Sequence, residues 1–263
     1  MQRSLKGGSR SPGQTCALSD LSDLNTLPED VREALKAICR QKSYEAGQTI
    51  AEADRPSDFI GIVRDGILRM EKTLSDGRRH LVGLLVEGDI FGHVFDGEMH
   101  FNVEAATSVE LFTFRRGPFE EILLRSPDLD RLLLLNLLNE LDRARDWMII
   151  LANPKVRGRL AGFLLLLCTR FQNVDHVTSI AGDAIRLRIP LSRRDLANLL
   201  GTRLESVSRA FHALANDGLI DILQPRVVEI RDLEALADEA GGSELGDPAS
   251  LHQLMLAIQK PTD

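Results

Sequence analysis

Short apolar stretches separated by glycines run through residues 42–114. Five of them are rich in β-branched and aromatic side chains, at residues 49–50, 59–63, 67–70, 80–85 and 109–114. Between the third and fourth stretches, Ser75, Asp76 and Gly77 have the composition of a tight hairpin turn. Such spacing is typical of antiparallel strands joined by short turns. The simplest architecture for this part of the chain is a β-barrel or β-roll.

A helical period replaces this pattern over residues 128–152, between prolines at positions 127 and 154. Apolar side chains recur there at alternating intervals of three and four residues, at Leu134, Leu137, Leu141, Ala144, Met148 and Leu151. This spacing is that of a coiled-coil seam. It predicts a long helix that forms a homodimer. Packing of the same side chains against the chain's own barrel is the alternative.

The rest of the chain alternates between helices and strands on a smaller scale. The predicted elements are a helix over residues 156–171, a strand over 184–189, two short helices, and a strand pair at 219–222 and 227–230. Within the two short helices, Ala197, Gly201 and Val207 follow one another at intervals of four and six residues. A helix-turn-helix unit requires a small residue where its helices cross, a glycine in the turn and a β-branched residue in the second helix. The spacing therefore predicts such a unit.

Both short helices begin with a capping-box pattern, Ser192 with Asp195 and Thr202 with Glu205. The second helix is predicted over about residues 203–216, and at about 100° per residue it has two distinct faces. One face holds Leu204, Val207, Phe211 and Leu214, and the other holds Glu205, Ser208, Arg209 and His212. We expect the first face to pack against the domain and the second to face DNA.

Glu205, Ser208 and Arg209 are the predicted contacts to DNA bases. Arginine can bind O6 and N7 of guanine, glutamate can accept from N4 of cytosine, and serine can bond either way. Contacts to the DNA backbone are predicted for Ser192, Arg193, Arg194, Thr202, Arg203 and His212. Glu205 as a helix cap, and Ser208 and Arg209 as ordinary surface residues, are the alternatives.

The formal net charge of −7 does not exclude DNA binding, because the charges are unevenly placed. Residues 155–209 contain 10 basic and 4 acidic residues, whereas residues 217–263 contain 3 basic and 10 acidic ones. Phosphate attraction decays over a Debye length of about 8 Å at physiological salt, so a local basic patch matters more than the total.

With these residues in place, the segment PLSRRDLANLLGTRLESVSRAFHALANDGLI resembles the DNA-binding domain of the Crp/Fnr superfamily. Glu205, Ser208 and Arg209 match the E-x-x-S-R pattern of its Fnr and FixK branches. The resemblance extends upstream through GILRMEKTLSDGRRHLVGLLVEGDIFG and covers roughly residues 40–235. It implies an α+β fold with an N-terminal cyclic-nucleotide-binding-like β-roll, a long dimerisation helix and a C-terminal winged helix-turn-helix.

The resemblance also implies a domain order and a function. We expect a flexible arm at residues 1–20, a β-roll at 21–126, the dimerisation helix at 127–153, the DNA-binding domain at 154–236 and a tail at 237–263. The implied function is a homodimeric regulator that binds double-stranded DNA at a palindrome similar to TTGAT, four spacer base pairs and ATCAA. It would act on RNA polymerase and activate microaerobic, anaerobic or photosynthetic genes. The alternative is an allosteric small-molecule or haem-dependent gas sensor module.

The β-roll lacks the residues that the resemblance would require for known ligands. Cyclic-nucleotide-binding members carry a glutamate after Phe-Gly and then an Arg-Ser or Arg-Thr pair, but here Phe91-Gly92 is followed by His93 and Val94. No lysine or arginine occurs between Arg79 and Arg115. An iron-sulfur cluster of the Fnr type takes four cysteines, and only Cys16 lies in the comparable arm. Neither group is expected.

We therefore expect no cofactor, no metal site and no catalytic residue, since no nucleophile–base pair or phosphate loop is present. Haem is the remaining alternative, because His80, His93 and His100 fall within the β-roll. Three scattered cysteines predict reduced thiols rather than a disulfide framework. The polar start of the chain and its short leucine clusters predict a cytoplasmic protein with no membrane contact.

Overall fold

In the computed structural model, the described residues are 16, 18, 22–75, 77, 79–95, 97–170, 177–181 and 184–242. The chain divides into two units, one formed by residues 1–68 and 85–136 and the other by residues 69–84 and 137–263. Both contain helices and strands, so the predicted α+β class is confirmed.

The strands are β1 (Cys39–Tyr44), β2 (Thr49–Ala51), β3 (Phe59–Asp65), β4 (Leu68–Thr73), β5 (Arg79–Leu85), β6 (Ile90–Phe91), β7 (Asn102–Ala105), β8 (Val109–Arg115), β9 (Thr178–Ala181), β10 (Ala184–Arg188), β11 (Ile220–Gln224) and β12 (Val227–Ile230). The helices are α1 (Glu29–Ile38), α2 (Arg116–Leu123), α3 (Pro127–Ala152), α4 (Val156–Arg170), α5 (Arg193–Leu199), α6 (Leu204–Asn216) and α7 (Leu233–Ala240). Among the described residues, none of these helices is both long and apolar enough to cross a membrane.

A four-stranded sheet with the order β1-β8-β3-β6 forms the framework of the first unit. Its pairs are antiparallel, and Cys39 at the start of β1 lies opposite Phe114 in β8. Gly61 allows the sheet to pack closely, because a Cβ atom there would lie 2.4 Å from the Phe91 ring. The buried side chains include Phe112, Phe114 and Phe119, which form the centre of the hydrophobic core.

The predicted hairpin at residues 75–77 connects β4 and β5, which are neighbours in their sheet. The Gly77 amide donates to the Leu74 carbonyl at 2.9 Å, and Gly77 adopts a φ of +80°. That left-handed conformation strains any residue with a Cβ, which explains the glycine. Asp76 lies outside the described residues.

Helix α3 confirms the long helix predicted over residues 128–152. One of its faces is buried in the second unit, where the Trp147 ring stacks on Phe163 of α4 with centroids 6.1 Å apart. The predicted seam lies on other positions and is exposed on the single chain, with its leucine and methionine residues from 42% for Leu151 to 70% for Met148. Packing of the seam within the chain, the alternative reading, is not what the described residues show.

In the second unit, a sheet with the order β11-β12-β10-β9 supports the C-terminal helices. The β11–β12 hairpin is the wing that follows α6. Helix α7 begins at an Asp232 cap whose carboxylate accepts from the Ala235 amide at 2.8 Å. It runs through the predicted start of the tail at residue 237, because Leu236, Ala237 and Ala240 are buried.

Two expectations about the N-terminal part of the chain are wrong. Cys16 and Cys39 form a disulfide, whereas reduced thiols were expected. Cys16 and Leu18, placed by sequence in a flexible arm, are only 3% and 1% exposed. Both apolar side chains join the core of the first unit, which holds this part of the segment in place. Residues 1–15 lie outside the described residues.

Candidate DNA-binding surface

The turn between α5 and α6 has the geometry that the three spaced residues predicted. Ala197 and Val207 are 3% and 0% exposed, and Gly201 adopts a φ of +59°. The amide of Thr202 donates to the Ala197 carbonyl at 2.9 Å and closes the turn. This confirms the predicted helix-turn-helix unit and sets the direction of α6.

Arg159 of α4 supports the same turn from outside the unit. Its Nη1 donates to the Leu200 carbonyl at 2.7 Å, at the end of α5 where helical carbonyls lack partners. Sequence reasoning missed this residue, because 41 positions separate the donor from the acceptor. Arg159 therefore helps to position α6 without belonging to its exposed face.

Ser192 caps α5, as the first capping box predicted. Its Oγ accepts from the Asp195 amide at 3.1 Å and lies 2.6 Å from the Asp195 carboxylate. That carboxylate also lies 3.4 Å from Nη1 of Arg69 in β4. Ser192 was predicted to contact the DNA backbone, and the structure gives it this structural role as well.

We expect Ser192→Ala to lower the free energy of unfolding by about 1 kcal/mol, because an amide of the first turn of α5 loses its acceptor. Denaturant titration followed by circular dichroism measures the change. Ser208→Ala is the matched control: Ser208 is exposed in mid-helix, so its replacement should alter the free energy of unfolding by less than about 0.5 kcal/mol. Equal stability of the two variants would contradict the capping role.

The second predicted capping box, Thr202 with Glu205, is wrong. Helix α6 begins one residue later than that box requires, with Arg203 in the capping position at φ −94° and ψ 152°, and no side chain caps it. Glu205 therefore occupies the second helical position rather than the third. Its carboxylate is exposed in the first turn, where a negative charge interacts favourably with the helix dipole and stabilises the helix.

The two faces of α6 are arranged largely as predicted. Val207, Ala210, Phe211 and Leu214 are buried, and Glu205, Ser208, Arg209 and His212 are exposed. Leu204 was assigned to the packing face, but it is 42% exposed. Leu204 is the first residue of α6. The structure therefore brings the three predicted base-contact residues onto one accessible surface.

Arg193 lies beside this surface in an unexpected environment. Its guanidinium stacks on the Phe211 ring, 3.2 Å from the centroid, which is a cation–π contact. Partial burial lowers the pKa of Arg193 to about 10, so the side chain remains protonated at neutral pH. Its Nη1 is buried and has no hydrogen-bond partner among the described residues.

A groove of about 390 Å³ separates α6 from the wing. Its walls are formed by Arg193, Ser208, Phe211 and His212 on the helix side and by Ile222, Leu223, Gln224 and Pro225 on the wing side. One wall thus carries a cation and two hydrogen-bonding side chains. The opposite wall is mainly apolar, with Gln224 as its polar group.

Internal ion pairs engage some of the basic residues in the block at residues 155–209. Arg186 bonds to Glu229 at 2.6 Å, and Arg157 pairs with Asp217 and, at 3.1 Å, with Glu239. Among the arginines of this block whose burial the structure describes, the exposed ones are Arg186, Arg188, Arg194, Arg203 and Arg209. Fewer basic side chains are therefore available to phosphate than the count of basic residues suggests.

Comparison with known proteins agrees with this geometry. Residues 158–239 match the Crp-like helix-turn-helix domain, and residues 41–126 match the cyclic nucleotide-binding domain. The transcriptional activator protein FnrL of Cereibacter sphaeroides is 35% identical over 88% of this chain and 89% of its own. The nitrogen fixation regulation protein FixK of Bradyrhizobium diazoefficiens is 28% identical over 92% and 93%. The structure of FixK2 from Bradyrhizobium japonicum has a TM-score of 0.67 at 28% identity, covering 80% of this chain and 98% of that one.

The second of these domain matches raises the question of a cyclic nucleotide, and the residues present do not fit one. Between β6 and β7 the described side chains include His93 and His100, whose rings meet edge to face at 5.3 Å, and the exposed Phe95. A buried cyclic phosphate requires a cation, and this stretch contains no lysine or arginine. The loop therefore lacks the group that would neutralise the ligand.

The cysteines do not fit an iron-sulfur cluster either. Cys16 and Cys39 are bonded to each other, and Cys168 is fully buried in α4. Burial raises the pKa of the Cys168 thiol to about 12, so it is not a thiolate at neutral pH. Within the described part of the chain, no three His, Cys, Asp or Glu side chains are grouped to hold a metal ion.

Proposed function

The chain belongs to the Crp/Fnr family of DNA-binding transcription regulators and is not an enzyme, and from this premise we propose that it binds as a homodimer to a palindrome similar to TTGAT, four spacer base pairs and ATCAA. The observation that carries this proposal is the exposed face of α6, where Glu205, Ser208 and Arg209 lie on one surface above a buried row of apolar side chains.

These three side chains have complementary hydrogen-bonding chemistry. Arg209 supplies a fork of donors for O6 and N7 of guanine, Glu205 an acceptor for N4 of cytosine, and Ser208 a hydroxyl that serves as donor or acceptor. The guanidinium of Arg209 lies 3.4 Å from the Ser206 hydroxyl, a weak contact that a base can replace. Together they would read adjacent base pairs of one half-site.

Contacts to phosphate would hold α6 in its register. The exposed Arg194 and Arg203 lie at the starts of α5 and α6, where helix dipoles also favour anions. Arg193 and His212 line the groove beside the wing, which would receive the sugar-phosphate strand that leaves the major groove. Thr202 is partly exposed in the turn. Ser192 is engaged in its cap, which leaves it the weakest of the predicted backbone contacts.

The seam of α3 supports dimer formation. Its six residues are all exposed on the single chain, and the neighbouring Leu135, Leu138 and Ile149 extend the apolar strip. An exposed strip of this size marks an interaction surface. A second copy of the same helix would cover it in a parallel pair, and the resulting twofold symmetry matches a palindrome with half-sites about one helical turn apart.

We further propose that the dimer activates transcription by contacting RNA polymerase, at genes for microaerobic, anaerobic or photosynthetic metabolism. Two of the relatives are a transcriptional activator and a nitrogen fixation regulator, which supports this direction. We also propose that it does so without a bound cofactor. A stoichiometric haem absorption spectrum of the purified protein would favour the gas-sensor alternative instead.

A salt titration tests the proposed function. Affinity for a duplex carrying TTGAT, four base pairs and ATCAA is measured by fluorescence anisotropy between about 50 and 200 mM salt, beside a scrambled duplex of equal composition. We expect the palindrome to bind at least about a thousandfold more tightly, with a steep loss of affinity as salt rises. Equal affinity for both duplexes would overturn the proposal.

A further inference from the structure

The disulfide between Cys16 and Cys39 closes a loop around the first helical part of the chain. The Cα atoms of the two cysteines lie 6.1 Å apart, within the usual range for such a bond. The closed loop contains the 3-10 turn Ser22–Thr26 and helix α1. Cys16 is 3% exposed, whereas Cys39 at the start of β1 is only partly buried. Cys39 is therefore the less buried of the two cysteines, although its side chain also packs against the core of the first unit.

The bond fastens the N-terminal segment, whose described residues Cys16, Leu18 and Leu24 belong to the core of the first unit. Cys16, Leu18 and Leu24 share one hydrophobic cluster with Leu129 in the first turn of that helix. Leu132 and Leu133 of the next turn pack against the same cluster. The position of the N-terminal segment is thus coupled, through apolar contacts, to the end of the helix that carries the exposed seam.

We propose that Cys16 and Cys39 form a reversible dithiol–disulfide site, which fastens the N-terminal segment to the first turns of α3 when oxidised and releases it when reduced. A DNA-binding regulator works where small thiols keep most cysteines reduced, and disulfides in that environment are usually transient or redox-sensing. This modification site does not depend on the operator sequence or on any ligand of the β-roll.

The oxidant is a low-molecular-weight disulfide of the glutathione type. The Cys39 thiolate attacks one sulfur of this reagent, forms a mixed disulfide and releases one thiolate. The Cys16 thiolate then attacks the Cys39 sulfur, forms the intramolecular bond and expels the second thiolate. Two electrons pass from the protein to the reagent, and the two protons of the protein thiols end on the two released thiols. A small dithiol reverses both steps.

Burial couples this exchange to movement of the segment. During reduction, attack at the less buried Cys39 expels Cys16 as a thiolate among leucine side chains. An apolar environment disfavours the charged form of a thiol. Without the bond, only apolar contacts hold the N-terminal segment in the cluster, so cleavage allows Cys16 to reach water and the segment to leave. The oxidised and reduced forms therefore differ in packing as well as in covalent bonds.

Alkylation under native conditions tests the site in the full-length protein. After treatment with oxidised glutathione, we expect the mass to fall by about two hydrogens and iodoacetamide to add no group. After reduction with dithiothreitol, we expect addition at Cys16 and Cys39 but not at the buried Cys168. The Cys168→Ala variant should give the same pattern. Failure of oxidised glutathione to form the bond, or resistance of the reduced protein to alkylation, would overturn the proposal.

Hydrogen exchange measured by mass spectrometry tests release of the segment. We expect reduction to speed amide exchange in α1 and in the first turns of α3 by about tenfold to a hundredfold, while exchange in α6 stays constant. Cys16→Val retains an apolar side chain without the bond and should resemble the reduced protein. Protection in this variant equal to that of the oxidised protein would mean that packing alone holds the segment, and would refute a switch. Neither experiment uses DNA. A negative result would therefore refute the disulfide switch without bearing on the proposed operator binding.

Discussion

Leu141→Glu is expected to convert the protein from a dimer to a monomer at micromolar concentration. Leu141 lies in the middle of the seam and is 47% exposed on the single chain, so the change should leave the fold of the protomer intact. In a dimer, the new carboxylate would face its counterpart in an apolar interface without a cation. Burying such charges should weaken association by at least about a hundredfold. Sedimentation velocity measures the change.

Asn139→Glu is the matched control for this variant. It adds the same charge to the same helix, at an exposed position about 200° around the helix from Leu141. It should remain dimeric. The monomeric Leu141→Glu protein should also bind the palindrome at least about a hundredfold more weakly, because it loses the gain from engaging both half-sites together. A Leu141→Glu protein that sediments as a dimer would exclude α3 as the interface.

Arg209→Ala is expected to weaken binding to the palindrome and to relax the preference for one base pair. Loss of a two-pronged contact to guanine should cost about 1–3 kcal/mol per half-site. Anisotropy titrations with the palindrome and with duplexes altered at each half-site position measure both effects. The folded protomer should be unaffected, because Arg209 is exposed and its contact with the Ser206 hydroxyl is weak.

Arg194→Ala is the control that separates base reading from phosphate binding. Arg194 is exposed at the start of α5, so its loss should weaken all duplexes by a similar factor and reduce the salt dependence by about one unit of slope. If Arg209→Ala also weakened specific and random duplexes equally, Arg209 would be a phosphate contact and not a reader of sequence.

The helix-turn-helix unit could be predicted from sequence because its signals are local. Gly201 must adopt a left-handed conformation, Ala197 must be small, and both lie within ten residues of Val207. The same is true of the Ser192 cap. The wrong capping box at Thr202 and Glu205 also has a local cause. Either Thr202 or Arg203 can occupy the capping position of α6, and in the structure Arg203 occupies it.

Contacts between distant residues could not be predicted in this way. Arg159 reaches the carbonyl of Leu200, and Arg193 stacks on Phe211, although nothing in the spacing of these residues indicates either contact. The disulfide was missed for a related reason. Two cysteines separated by 23 positions become neighbours only because α1 returns the chain to the start of β1. Helical periodicity also could not show that Leu204, the first residue of α6, is exposed.

The stacking of Trp147 on Phe163 provides an optical probe of the molecule. This indole is the one tryptophan of the whole chain, and it is 8% exposed on the inner side of α3. Its emission therefore comes from a single place, the contact between α3 and α4, with no background from elsewhere. Any event that separates the two helices would shift that emission to longer wavelength as water reaches the ring. The fluorescence of the unlabelled protein therefore measures whether α3 and α4 remain in contact at Trp147.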